Sequence, residues 1–141
     1  MISLKRLLRE YREYPSKLDA SVKVIITRKG DGFYAKLKHH FSKCGDAVLD
    51  AGNRKIYIDG EVADKENWSV DHFLFVEAHE IAHLRLKHDT DNSDETEADF
   101  YAICHLLDKG YEEAARIGVS QFKYRNGLTF EEYKDRIDAN K

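Results

Sequence analysis

The stretch FLFVEAHEIAHLRL, residues 73–86, followed by ETEAD at residues 95–99, decides how this chain reads. Apolar residues Phe73, Leu74, Phe75 and Val76 lead into His79-Glu80-Ile81-Ala82-His83, and Leu84 and Leu86 continue it without a Gly or Pro. That composition predicts a buried helix, with Ser69 as its N-cap and its end near His88. On a helix, residues four apart project from one face, so His79 and His83 can point two imidazoles at one cation. Glu95 and Asp99 repeat the spacing on a second helix, whereas Glu97 turns away by about 200° at roughly 100° per residue.

These residue types at this spacing suit a catalytic zinc site. Such sites take three protein ligands and leave a fourth position for water or substrate. The expected ligands are His79, His83 and Glu95, with Glu97 as the second choice for the third. Asp99 is expected to accept a hydrogen bond from a ligating histidine and so orient it. Glu80 is the expected general base, placed to take a proton from a water whose pKa zinc lowers from about 16 towards about 7. A structural zinc has no use for Glu80. A longer motif would put the third ligand at Asp89, beside His88, but Leu86 stands where that motif needs a turn-forming glycine. Protons should compete with a metal at the imidazoles below a pH of about 6. His39, His40, His72, His105 and Tyr101 are nominal oxyanion donors, none singled out by spacing.

Outward from the motif, Val22–Thr27 reads as a strand closed by the turn-like residues 29–32. Phe33, Leu37, Phe41 and Cys44 are spaced for a helix ending at Gly45, and residues 47–50 and 55–58 suggest a hairpin. Residues 2–13 are spaced as an amphipathic helix stopped by Pro15. Past the motif, Asn92 or Ser93 can cap a helix ending near Gly110; pieces at Glu112–Ile117 and Phe130–Asp138 follow, the last with a Thr129/Glu132 capping box. The expectation is one α+β domain over residues 1–141, mostly helical, with a small sheet or hairpin before the HExxH helix.

With 23 basic and 26 acidic residues and a net charge of −3, the chain lacks the basic excess of a nucleic-acid-binding surface. No apolar run reaches membrane-spanning length, and the first residues lack the apolar core of a signal peptide. Cys44 and Cys104 form no CxxC, so a reduced, cytoplasmic protein with both thiols packed inside is the simplest expectation, and one disulfide is the other.

HEIAHLRLKH followed by ETEADFYAICHLL resembles the ImmA/IrrE family of small zinc metallopeptidases. His79, Glu80 and His83 match its first motif; Glu95, Glu97, Ala98, Asp99, Tyr101 and Ala102 match its second. The similarity spans about residues 46–107. It implies a zincin-like fold, zinc on His79, His83 and Glu95, and Glu80 as catalyst. It also implies cleavage of a protein or peptide substrate, a transcriptional repressor of a phage or other mobile element among the candidates. Three features depart from the family: Asp108-Lys109-Gly110 replaces the usual proline, and Glu77 and Arg85 put charges on the motif helix. The competing expectation is a non-catalytic, zinc-stabilised protein-interaction module.

Overall fold

The computed structural model describes residues 13–44, 46–87 and 95–140. The helix expected over residues 2–13 and the caps at Asn92 and Ser93 lie outside the described residues, except that Glu13 opens a strand. Among the described residues the chain is α+β, with a four-stranded mixed sheet ahead of most of its helices. Strands β1 (Glu13–Pro15), β2 (Lys23–Thr27), β3 (Ala47–Asp50) and β4 (Lys55–Asp59) lie in the order β1-β2-β4-β3.

Why β2 sits in the middle follows from its side chains. Val24, Ile25, Ile26 and Thr27 are all buried, so neither face of the strand can be left to solvent. It runs parallel to β4, pairing Val24 with Ile56 and Ile26 with Ile58, and antiparallel to β1. Pro15, which lacks a donor, is confined to the edge strand β1. The expected hairpin is β3–β4, in register from Ala47↔Ile58 to Asp50↔Lys55. Its turn is held by Asp50, which accepts from the Asn53 side chain at 2.9 Å, and Arg54 takes a left-handed φ of 52°.

Helix α1 (Gly32–Cys44) joins β2 to β3, and a short helix α2 (Gly60–Lys65), capped by Asp59, leaves β4. Helix α3 (Val70–Arg85) carries the HExxH motif, and Ser69 caps it by accepting from the His72 amide at 3.1 Å. Phe73, Leu74, Phe75, Glu77, Ala78, His79, Glu80, Ile81 and Ala82 are all buried, as befits a helix covered on every side. It stops at Arg85 rather than near His88, because Lys87 adopts a left-handed φ of 56° that a helix cannot continue through.

Helix α4 (Glu95–Asp108) packs its Ala98, Ala102, Ile103 and Leu106 face inward, and Gly110 follows it at a φ of 85°. Cys104 is free and exposed, which corrects the expectation of a packed thiol. Two positions beyond Ala102, it points about 200° away from that buried face. Helix α5 runs from Glu112 to Asn126, nine residues past the Ile117 end that the sequence suggested. Gly118 does not break it. A β-carbon there would lie 2.6 Å from the Phe75 ring and 2.7 Å from Ile103, so the bare backbone is what lets α5 press against α3 and α4. The true stop is Gly127, left-handed at 82°. Helix α6 (Phe130–Ala139) begins with the expected capping box of Thr129 and Glu132, and Phe130 stacks on Phe100.

Candidate metal centre

Two helices bring the motif residues together. His79 and His83 project from one face of α3, and their Nε2 atoms lie 3.1 Å apart. Glu95, in the first turn of α4, reaches both: one oxygen lies 2.8 Å from His79 Nε2 and the other 3.2 Å from His83 Nε2. The three donor atoms fall within 4.8 Å of one another, so His79, His83 and Glu95 form a group that could hold a metal ion. Two neutral nitrogens and a carboxylate oxygen, with borderline-soft character, fit a divalent transition metal better than calcium or magnesium, which favour oxygen. The side chain of Glu95 is 43 % exposed against 10 % and 12 % for the two histidines, so the group is open on the α4 side. Glu97, two residues on, is exposed and outside the cluster.

Electrostatics at the group follow from these contacts. Burial works against a charged imidazole at His79, but hydrogen bonds to Asp99 and Glu95 outweigh it and hold the pKa up at about 9. The same two histidines hold the Glu95 carboxyl well below its ordinary range. Glu80 is buried beside the group, 8 % exposed, and desolvation pushes its carboxyl up despite the opposing pull of His79 and His83.

Behind His79 stands Asp99, 1 % exposed, with an oxygen 2.6 Å from Nδ1. This is the orienting contact expected from the four-residue spacing. Burial alone would raise the Asp99 pKa; hydrogen bonds from His79 and Arg125 reverse that and leave it lowered. Arg125 donates from Nε to Asp99 at 2.8 Å and from Nη2 at 3.2 Å, and Asn126 donates from Nδ2 at 2.9 Å. Asn126 also accepts from the Thr96 hydroxyl at 3.0 Å. Neither Arg125 nor Asn126 was visible as a site residue in the sequence. They belong to no motif and lie beyond the point where α5 was expected to end; Gly127 was the signal that the helix reaches them.

The other nominal candidates are placed elsewhere. His72 stacks on Trp68, with ring centroids 4.3 Å apart. Tyr101 and His105 face Arg85, which lies 3.5 Å from the tyrosine hydroxyl and 3.4 Å from His105 Nε2. The two charges unusual for the motif helix are both satisfied by the chain before β2. Glu77 accepts from Tyr14 at 2.9 Å and Ser16 at 2.8 Å, and Arg85 reaches Asp19 at 3.4 Å. Glu77 is pushed up to about 7 by burial, against the lowering effect of those two hydroxyls.

No protein-family model, curated protein or solved structure matches the chain. Among the described residues, no helix is long and apolar enough to cross a membrane.

Proposed function

We infer that this protein is a zinc-dependent metallopeptidase that hydrolyses a peptide bond in a protein substrate. The observation that carries the reading is the convergence of His79, His83 and Glu95 donor atoms within 4.8 Å, with the buried Glu80 alongside. Zinc bound there would supply an activated water and polarise the scissile carbonyl.

Every other role falls to the chain's own residues. His79 and His83 present Nε2 to the ion, Glu95 gives a carboxylate oxygen, and Asp99 fixes the His79 ring by accepting from Nδ1. Glu80 takes the proton from the attacking water and returns it to the leaving amine. Burial raises its pKa above the ordinary carboxylate value, which favours the half of that duty in which it holds the proton. Partial exposure of Glu95 supports catalysis over a zinc-stabilised interaction module, because a structural site is closed by four protein ligands.

The likeness to ImmA/IrrE peptidases favours a regulatory substrate, such as a transcriptional repressor of a phage or other mobile element. The exposed, free Cys104 is compatible with the reducing cytoplasm. The test is cleavage of a proteome-derived peptide library by zinc-loaded protein, beside Glu80→Gln. New peptide termini in the wild type alone are expected. The same termini at the same rate from Glu80→Gln would defeat the reading.

A further inference from the structure

The carboxylate behind His79 is more heavily held than orientation of one ring requires. Asp99 has two oxygens and receives four donors: His79 Nδ1, two nitrogens of Arg125, and Asn126 Nδ2. A carboxylate 1 % exposed and left with only a histidine would be free to rotate about its own bonds. The two-point fork of Arg125 removes that freedom, because it fixes the carboxylate plane. The guanidinium carbon of Arg125 also lies 6.0 Å from the centroid of the Phe75 ring on α3.

Asn126 extends this hold to the third donor. Its amide nitrogen donates to Asp99, and its amide oxygen accepts from Thr96, the immediate neighbour of Glu95. One side chain at the end of α5 therefore grips the first turn of α4 at two points, a turn apart. Moving that turn would displace Glu95 and Asp99 together. His79, through Asp99, and Glu95, through its neighbour Thr96, thus both depend on two consecutive residues at the end of α5.

We propose that Arg125 and Asn126 are positioning residues that set the metal affinity of the His79/His83/Glu95 group, acting through Asp99 and through Thr96. The proposal rests on the zinc reading above. Groups that hydrogen-bond a ligand directly, as Asp99 does, typically govern about 10–100-fold in metal affinity. The size expected here is in that range for Arg125→Met, smaller for Asn126→Ala, and intermediate for Arg125→Lys, which keeps the charge and loses the fork.

The experiment is zinc competition with a chromogenic chelator, on metal-free protein whose fold is first checked by circular dichroism. Wild type, Arg125→Met, Arg125→Lys, Asn126→Ala and Thr96→Val are compared, together with Asp99→Asn alone and combined with Arg125→Met. A residue that acts only through Asp99 must lose its effect once Asp99 is neutral, so Arg125→Met should weaken zinc binding in the parent and hardly at all in Asp99→Asn. A merely structural arginine would lower the thermal midpoint equally in both backgrounds and leave zinc affinity unchanged. Folded Arg125→Met and Asn126→Ala proteins that bind zinc as tightly as wild type would overturn the proposal while leaving the metal site standing. If wild type itself binds no zinc, the site and the proposal fall together. Should Arg125→Met fail to fold, Asn126→Ala and Thr96→Val decide the matter, and unchanged affinity in both overturns it.

Discussion

His79 is held through Nδ1 by Asp99, 2.6 Å away, while Nε2 of the same ring lies 2.8 Å from Glu95. An imidazole between two carboxylates holds its proton tightly when no metal is bound, which is why its pKa stands at about 9. Metal must displace that proton. Zinc binding to the metal-free protein at pH 7.5 should therefore release close to one proton, and affinity should fall about tenfold per pH unit below pH ~9. Isothermal titration in two buffers of different ionisation enthalpy reads the proton directly. Affinity flat between pH 7 and 8.5 would show that no proton held by His79 is displaced by the metal. The sequence alone placed this competition near pH 6; Asp99 and Glu95 move it upward.

The same shift makes the metal-free protein lose stability with rising pH over a range in which the zinc-loaded protein does not. A histidine whose folded pKa lies above its unfolded value near 6.5 contributes stability fully below pH 6.5, and loses it as pH rises through about 9. The thermal midpoint of the metal-free protein should thus fall between pH 6.5 and 9.5. The increment added by zinc should grow over the same interval. Parallel trends in the two forms would contradict this.

Glu77 supplies a second pH dependence, independent of metal. Its folded pKa near 7 lies above the ordinary 4.5, so its share of the stability is present below pH 4.5 and lost as pH rises through 7. Glu77→Gln, which cannot ionise, should flatten the stability profile between pH 5 and 8. Urea denaturation at three pH values measures it, and a slope as steep as in wild type would argue that the carboxylate is not desolvated.

Gly118 tests the packing that brings Arg125 and Asn126 to the site. Alanine gains about 1 kcal/mol in helix propensity, but overpacking a tight interface costs roughly 1–3 kcal/mol. With Phe75 and Ile103 only 2.6 and 2.7 Å from the added carbon, the second effect should win. Gly118→Ala is expected to lower the unfolding free energy by up to about 2 kcal/mol. A more stable variant would mean that α5 rides further from α3 than described.

Much of this organisation could be read from local pattern. Ser69, the HExxH helix, strand β2, the β3–β4 hairpin and the Thr129/Glu132 box are each specified by neighbours within a few residues, and each forms where that pattern put it, save that the HExxH helix ends at Arg85, short of His88. What escaped was non-local. Parallel pairing of β2 with β4 joins Val24 to Ile56 across the whole of α1 and β3. Gly118 looks like a helix terminator until Phe75 and Ile103 are seen against it. Glu95, Asp99 and the two histidines announced themselves by spacing because one helical turn fixes where they point. Arg125 and Asn126 had no such signal, because their partner Asp99 lies 26 and 27 residues away in sequence.

On the metallopeptidase reading, Glu80 is the residue that separates catalysis from metal storage. Glu80→Gln preserves size and a hydrogen-bonding group while removing the base, so it should keep zinc and lose about 10²–10⁴ in cleavage rate. Zinc content and turnover are to be measured on one preparation, because loss of both would indicate a damaged site instead of a missing base.

The central claim is that His79, His83 and Glu95 bind zinc, and metal content tests it most directly. Elemental analysis of protein purified without added metal, beside Glu95→Ala, should find about one zinc per chain in the wild type and a marked loss in the variant. Zinc absent from both after reconstitution, or retained equally in Glu95→Ala, would contradict the account.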